Sequence, residues 1–533
     1  PIPARGQVRP NQTKRLRPGS IPDRRPDPFQ FLKPAPGQYH GHRTTVGMSN
    51  FFSGPLSASS MDPDKVVLRP EMEPLVRLIE ITPREQCFFM MADQLRQGVP
   101  YRTFMAALFL AGIRNVNPQP PGFKFHCVFA IHSAHEISLQ SAVQHRLLPL
   151  FWALDNFKQS QQQDTEQGDF KLRPVSHPLP LASQAWHEFH RAMENWDEER
   201  ADRAIVTLVR NQSSHAIIES LWQYGARDYR NIGHKAIFVA NSWRTLQTIG
   251  WQHAEPVLRS LVLGLLDFKN ETVNHYAYQD QSYIPNAARA KQILQQLPAS
   301  WSGTEADPAF TTELLNVLRT GNFHDASTLI TEGLQKKQIQ AGAVWDSIHL
   351  AAGELMIRQP GIYGIHTITS THALRYAFQT SNQPETRLTL LLQGAGWICQ
   401  FKNFMSTVPK GLGTRNILDL QSSGQPASPE ATIENIFSLI EKDPHAAAEQ
   451  SFSYAQRFPN ATAYGKRARH LILTKGTDAH HYKYLSSIME DYHLINKAYR
   501  PHMLAASVYY LCGSTLPDSP VMERAREALH IAG

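Results

Sequence analysis

The stretch FKFHCVFAIHSAHEISL, residues 123–139, decides the fold class of this chain. It is apolar around most of its circumference when wound as a helix, which favours a buried helix over a surface one. Three histidines, His126, His132 and His135, interrupt this apolar surface. A buried imidazole needs a partner for its ring nitrogens, so these side chains require a reason for being there.

Helical periodicity extends in both directions from this stretch. Residues 101–113, YRTFMAALFLAGI, are too apolar for a surface helix, and residues 71–80 place Leu75 and Ile79 on one face. Helical patterns then recur to residue 511, whereas period-two strand patterns are scarce and no fixed-length repeat is present. The sequence therefore predicts an all-α fold.

The domain organisation follows from composition. We expect one large helical domain over residues 70–533, preceded by a linker at 48–69. Two polar segments rich in turn-forming residues, 158–183 and 408–429, are expected to be loops within it.

The first 47 residues differ from the rest. They contain nine prolines, nine of the 53 Lys and Arg, and two of the 46 Asp and Glu, so they carry the whole net charge of +7. Such a segment cannot bury enough apolar surface to fold, and we expect a disordered basic tail. Because Met48 follows directly, we interpret the tail as an upstream extension in preference to a basic interaction tail.

Composition narrows the class of protein. The remaining residues carry no net charge, so nucleic-acid binding has no electrostatic support. The four cysteines are scattered and form no CxxC pair, which argues against disulfides and thiolate zinc sites. Without a long apolar run or a secretory signal, a membrane span is not predicted and a cytoplasmic location is expected.

The histidines of the 123–139 helix allow two interpretations. His132 and His135 are three residues apart, and Glu136 lies four residues after His132, so each pair shares a helix face. They are either core histidines with satisfied ring nitrogens, or one or two metal ligands with Glu136 nearby.

Two further segments place histidines in apolar helices. GHKAIFVAN puts His234 at the head of a helix, and IHTITSTHALRYAF carries His366, His372 and Arg375. His366 and His372 are six residues apart and do not share a face, so at most one of them would bind a given metal. Arg375 would neutralise an anionic substrate or form a structural ion pair.

The segment DAHHYKYLSS is the most suggestive. His480 and Lys483 are three residues apart and project from the same side of a helix. An ammonium repels a metal cation, but burial lowers the pKa of a lysine and exposes a nucleophilic amine. Reaction of that amine with CO₂ would give a carbamate, an anionic oxygen ligand. The alternative is a Lys483 that faces solvent.

These four segments, in this chain order, resemble the questin oxidase-like family, whose members are helical. The resemblance is strongest around His366 and Lys483, and patchy elsewhere over residues 120–515. Some members are similar to a non-heme iron oxygenase that holds iron by four histidines and a carbamylated lysine. The chain departs from that pattern at the 408–429 segment, at His372 and at His481.

What the resemblance implies is a ligand set and an activity. The implied metal ligands are His135, His234, His366, His480 and Lys483, with His132 or His126 open in place of His135 and His481 open in place of His480. The implied cofactors are Fe(II), with Zn or Mn as alternatives, a CO₂-derived carbamate on Lys483 and an external reductant. The implied reaction is O₂-dependent oxidation or C–C cleavage of an aromatic, polyketide- or quinone-like small molecule, with Glu136 and Arg375 as candidate catalytic residues.

Two other functions remain open from sequence. A zinc hydrolase with a carbamylated lysine would activate water at the metal and use Glu136 or Asp346 as acid or base. A non-catalytic helical scaffold would bury its histidines without bringing them together. No HExxH, EF-hand, P-loop, Rossmann or GxSxG motif is present to favour another class.

Overall fold

A computed structural model describes residues 64–268, 280–409, 411–423 and 428–530 of the chain. Over these residues it contains twenty-two α-helices, α1–α22, and no strand, so the predicted all-α class is confirmed. The predicted tail, residues 1–47, lies outside the described residues. Of the predicted linker only 64–69 are described, and there the Leu68 side chain is already buried against the helical body.

Most of the helices follow one another through short connections. The first half of the chain contains α1 Glu73–Ile81, α2 Cys87–Arg96, α3 Tyr101–Asn115, α4 His126–Gln140, α5 Leu148–Gln167, α6 Ala185–Glu194, α7 Glu198–Asn211, α8 Ser214–Ala226, α9 His234–Ile249, α10 Ala254–Leu265 and α11 Tyr283–Ile293. The second half contains α12 Pro308–Thr320, α13 Phe323–Lys336, α14 Ala341–Arg358, α15 Ile362–Thr380, α16 Pro384–Thr407, α17 Pro429–Leu439, α18 Pro444–Arg457, α19 Thr462–Lys475, α20 Ala479–Leu494, α21 Arg500–Ser507 and α22 Pro520–Leu529.

Four of these helices form a bundle at the centre of the molecule. Helix α4 packs against α9 and α20, and α15 packs against the same two helices, which closes a ring of four. Each is apolar on more than one side, as the sequence predicted for α4, because the other helices cover the outside of the ring. Helices α3, α5, α8, α10, α14 and α21 supply much of that cover.

Helix starts follow side-chain caps that the sequence contains. Asp197 accepts a hydrogen bond from the Arg200 backbone N–H at the start of α7, and Asp443 does the same for Ala446 at α18. Asn322 and Asp325 form a reciprocal capping box at α13. Such caps satisfy backbone N–H groups that have no partner within the helix.

The predicted loop at 158–183 is partly wrong. Helix α5 continues through its polar half to Gln167, and only the segment after it lacks an α-helix. Asp164 fixes this end, because its carboxylate accepts hydrogen bonds from Lys124 Nζ and from the backbone of Asn117 and Phe170. The predicted loop at 408–429 contains no α-helix over its described residues before Pro429 begins α17.

Two simpler expectations concern the cysteines and the membrane. All four cysteines are buried and free, which agrees with the absence of a disulfide framework. Among the helices that the structure describes, none is both long enough and apolar enough to span a bilayer.

Candidate metal centre

One buried histidine from each helix of the central bundle meets the other three. His126, His234, His366 and His480 each offer one ring nitrogen, and these nitrogens all lie within 4.8 Å of one another. None of the four residues is more than 8% exposed. Within the described part of the chain this is the one such grouping of histidine, cysteine or carboxylate side chains.

The four histidines share a position in their helices. His126 and His234 are the first residues of α4 and α9, His480 is the second residue of α20, and His366 is the fifth residue of α15. The amino-terminal ends of four helices therefore meet at the cluster. Each helix end carries a partial positive charge from its unpaired N–H groups, so the surroundings favour an anion over a bare cation.

Each imidazole is fixed through its Nδ1 atom. His126, His234 and His366 contact backbone carbonyl oxygens of Phe123, Asn231 and Ile362, at 2.7, 2.5 and 2.6 Å. A carbonyl oxygen only accepts, so Nδ1 of each ring must carry the hydrogen and donate it.

His480 is held in the same way by a side chain. Its Nδ1 lies 2.9 and 3.1 Å from the two carboxylate oxygens of Asp478. The Asp478 carboxylate also caps α20 by accepting from the His480 backbone N–H. This arrangement, in which an oxygen acceptor orients a neutral imidazole, is the one that holds histidine ligands in metalloproteins.

The Nε2 atom of each ring then carries a lone pair, and these lone pairs point at one another. The Nε2 atom of His234 lies 3.1 Å from Nε2 of His126 and 2.9 Å from Nε2 of His366. With hydrogen on Nδ1 in every ring, neither contact is a hydrogen bond. Nε2 of His480 is buried without a partner. A cation shared by the four nitrogens would turn this repulsion into attraction.

The spacing of these nitrogens is compatible with one shared ion. Two nitrogens bound to one ion at about 2.1 Å lie about 3 Å or more apart. The two Nε2 separations are close to that lower limit, so one ion could bind both nitrogens of each pair.

The pKa values of the four histidines favour neutral, ligand-competent rings. Burial is the largest cause that lowers the pKa of each of them, and the positive charge of Lys483 lowers each further. A histidine must be neutral to donate its lone pair to a metal.

Lys483 faces the cluster from the turn after His480. It is 2% exposed, its Nζ atom has no hydrogen-bond partner, and it lies 5.8 Å from the centre of the Phe129 ring. Burial lowers its pKa to about 7. An amine in this setting is available in its uncharged, nucleophilic form at neutral pH.

The turn that delivers His234 is strained. Asn231, Ile232 and Gly233 all have positive φ, at 55°, 49° and 85°. A buried ion pair between Arg230 and Asp280 holds one side of this turn, and the Asn231 side chain donates to Asp267. Consecutive left-handed residues are costly, and they persist where the surroundings enforce them, commonly at functional sites.

A second polar layer crosses the same four helices farther along. Arg244 of α9 contacts His132 of α4 at 3.3 Å and forms a two-pronged ion pair with Glu490 of α20 at 2.6 and 2.8 Å. His372 of α15 lies 3.4 Å from Glu490 and 2.8 Å from Asp491. Each helix contributes one residue to the histidine cluster and, six or ten residues later, another to this second layer. The four helices therefore run in the same direction.

The structure brings together three of the predicted ligands, His234, His366 and His480, and places Lys483 facing them. From the α4 helix it brings His126, which the sequence left open, and not His135. His135 lies about half a turn round the helix from His126, and its Nδ1 contacts the Tyr101 hydroxyl at 3.2 Å.

The remaining candidates lie outside the cluster. The His481 ring lies against Tyr510 at a tilt, with ring centres 5.1 Å apart, and lines a cavity of about 300 Å³ that includes none of the four clustered histidines. Burial raises the pKa of Glu136, whose charged neighbours are Arg244 and Glu490 of the second layer. Arg375 lies over the Trp345 ring at 5.2 Å.

A sequence signal could have selected His126. The other three histidines of the cluster lie in the first five residues of apolar helices, and the same rule applied to α4 selects His126 over His132 and His135. The second polar layer had no comparable signal, since Arg244 and Glu490 belong to patterns typical of solvent-facing residues.

Comparison with known proteins does not assign this chain to a family. No protein-family model matches the chain, and neither a curated protein nor a solved structure is significantly similar to it. The site's function therefore has to be argued from its own chemistry.

Proposed function

We propose that this chain is an O₂-dependent non-heme iron oxygenase that oxidises, or cleaves a C–C bond of, an aromatic small molecule. The observation that carries the proposal is the convergence of four imidazoles whose Nδ1 atoms are all anchored and whose Nε2 lone pairs face one another. Core packing alone gives no reason for four such lone pairs to meet. The sequence resemblance to questin oxidase-like proteins supports the same class.

His126, His234, His366 and His480 would hold the ion. Imidazole suits iron, zinc, copper and nickel, and the sequence resemblance to questin oxidase-like proteins favours iron among them. Bound there, Fe(II) would supply the redox chemistry with O₂ that no side chain of this cluster supplies. Phe129 stacks on the His234 ring, at 5.9 Å between ring centres, and helps to keep water from the ligands.

Charge balance supports a carbamate on Lys483. Four neutral imidazoles, four positive helix ends and an ammonium would surround the metal with positive charge, and Asp478 is already used to orient His480. The uncharged Nζ would attack the carbon of CO₂. One N–C bond forms, one C–O π bond becomes a carboxylate lone pair, and Nζ releases one proton to water. The product is an anionic oxygen ligand where a cation stood.

The substrate class is the one that the sequence resemblance implies. An aromatic small molecule is compatible with the Phe129 ring that stacks on His234. O₂ is the oxidant. Insertion of both oxygen atoms needs no further electrons, whereas insertion of one requires two electrons and two protons from an external reductant.

The test is metal content after purification without chelators and reconstitution with Fe(II) and ¹³C-bicarbonate. We expect about one iron per chain in the wild type, a ¹³C carbamate resonance, and loss of the iron in His366→Gln. Lys483→Met should lose the carbamate resonance and regain part of its iron affinity with added acetate, a short carboxylate. One tightly held zinc and turnover without O₂ would indicate a hydrolase instead. No metal under any condition would overturn the proposal and favour a scaffold.

A further inference from the structure

The cavity of about 300 Å³ that His481 lines borders the residues that orient His480. Tyr510 lines the same cavity. Its hydroxyl donates to the Asp478 carboxylate at 3.4 Å, and that carboxylate holds the His480 ring through Nδ1. The cavity is therefore one hydrogen bond away from the group that anchors a clustered histidine.

The walls of the cavity are aromatic and aliphatic. The rings of His481 and Tyr510 lie against each other, and Tyr509 adds a third ring. Most of the remaining lining is aliphatic and comes from Pro360, Ile440, Pro444, Val508, Leu511 and Leu516. Such walls suit a ligand with an apolar body, and the volume is at the lower end of the range for small-molecule sites.

The charge of the lining is negative. Among the described residues that line the cavity, Glu441 is the one with a formal charge, and it is exposed. Its carboxylate accepts the backbone N–H of Gly513 at 3.3 Å, which helps to keep it in place. The neighbouring Lys475 donates to the Leu516 carbonyl and to Asp518, so its charge is already paired. A cation would therefore be attracted to the cavity and an anion repelled.

One polar atom of the lining lacks a partner. Nδ1 of His481 is buried and makes no hydrogen bond to any described residue. A buried polar atom without a partner costs free energy, so a ligand that supplies one gains affinity. A hydroxyl group both donates and accepts, and it would pair with Nδ1 in either form of the neutral ring.

We propose that this cavity binds a small organic ammonium ion that carries an apolar body and a hydroxyl group. The ammonium would lie against the tyrosine rings, where cation–π attraction adds to the charge of Glu441. Because the ligand would touch Tyr510, its binding would also change the surroundings of His480 through Asp478. The site requires no metal, so it stands apart from the proposed oxygenase function.

The test compares choline with 3,3-dimethylbutan-1-ol, which has the same shape but carries carbon in place of the charged nitrogen. Both are titrated into the metal-free protein by calorimetry. Choline should bind at least about tenfold more tightly than the neutral alcohol. Absence of choline binding, or equal affinity for the two molecules, would overturn the proposal.

A pair of variants locates the bound cation. Glu441→Gln keeps the acceptor for Gly513 but removes the charge, so choline affinity should fall at least about fivefold while that of the alcohol stays within about twofold. Glu430→Gln is the control, since Glu430 is an exposed carboxylate in the first turn of α17 and does not line the cavity. It should bind both molecules as the wild type does. Equal effects of the two substitutions would mean that choline binds elsewhere.

The link to the cluster has its own readout. In protein labelled with ¹⁵N-histidine, choline should shift the ring signals of His480, assigned by their loss in His480→Gln. Tyr510→Phe keeps the ring and loses the hydroxyl that donates to Asp478, so it should bind choline within about twofold of the wild type without that shift. An unshifted His480 in choline-saturated wild type would overturn the link. Failure of the wild type to bind iron would overturn the proposed function alone.

Discussion

The two polar layers of the central bundle differ in how their groups are paired. In the layer at the helix starts, four histidines keep Nε2 lone pairs turned towards each other, and the Lys483 amine has no partner. In the farther layer, Arg244, Glu490 and His372 are joined by direct contacts. The same four helices thus carry one layer of paired groups and one layer of unpaired groups, and the proposed function predicts that the second layer stabilises the fold only when a metal is bound.

The separation of the layers lets each change without the other. They lie six or ten residues apart on each helix, which corresponds to about 9–15 Å along the bundle. Substitutions in one layer should therefore have effects nearly independent of the other. The predictions below test this difference, beginning with the largest expected effect.

The largest effect is expected from His366→Gln, which removes one ligand while keeping a similar volume. Metal affinity should fall at least about a hundredfold. The free energy of unfolding of the metal-free protein should stay within about 1 kcal/mol of the wild type, because the lost Nε2 had no favourable contact there. Anaerobic titration with Fe(II) and denaturant unfolding measure the two quantities. Strong destabilisation of the metal-free protein would mean that the cluster is ordinary core.

The opposite behaviour is expected from Arg244→Leu in the farther layer. The Arg244 side chain is 10% exposed, and its loss leaves His132 without this contact, whereas Glu490 is 39% exposed and keeps its contact with His372. The free energy of unfolding should therefore fall by about 2 kcal/mol. Metal stoichiometry at low temperature should be unchanged. Arg210→Leu is the matched control, since the Arg210 pair with Glu255 is largely exposed and should contribute less than about 1 kcal/mol.

The farther layer should also make stability depend on pH. Burial by itself lowers the pKa of His372, but the Asp491 and Glu490 carboxylates outweigh it and raise the pKa from its usual 6.5 to about 9. A raised pKa gives stability that is complete below pH 6.5 and lost as pH rises through 9. His372→Gln should therefore cost about 2 kcal/mol more at pH 6 than at pH 10. Equal losses at both pH values would contradict a charged His372.

A smaller effect is expected from alanine substitutions at two glycines, which separate steric crowding from backbone strain at the turn before His234. Gly233 and Gly98 both have positive φ, but a Cβ on Gly233 would lie 2.6 Å from Ser370 Cβ, whereas nothing lies within 4 Å of one on Gly98. Gly233→Ala should cost about 1.5 kcal/mol more than Gly98→Ala and should also weaken metal binding. Similar losses of stability, with metal affinity intact, would show that the turn does not position His234.

Sequence could predict much of the fold because helix starts carry local signals. The helical stretches read from periodicity at 71–80 and 101–113 correspond to α1 and α3, and α7, α13 and α18 begin at side-chain caps that the sequence contains. The polar half of α5 was missed because its stabilising contacts, such as those of Asp164, come from residues far away in sequence.

The site was less accessible to sequence for a related reason. Periodicity shows which residues share a face of α4, but not which face looks towards α9 and α20, so it does not separate His126 from His135; only the position of His126 at the start of the helix does. The farther layer depends on pairings between residues more than 100 positions apart, such as Arg244 with Glu490. The strained turn before His234 is likewise not visible from sequence, because it is defined by the backbone angles of Asn231, Ile232 and Gly233.

The most direct test of the account is a comparison of two histidines on one helix, His126→Gln and His135→Gln. Both residues are buried on α4, but only His126 directs a free Nε2 at the other three histidines. Anaerobic titration of the metal-free proteins with Fe(II) in the presence of bicarbonate should give about one bound iron per chain for the wild type and for His135→Gln, and none for His126→Gln. Retention of iron by His126→Gln, or its loss from His135→Gln alone, would contradict the four-histidine centre.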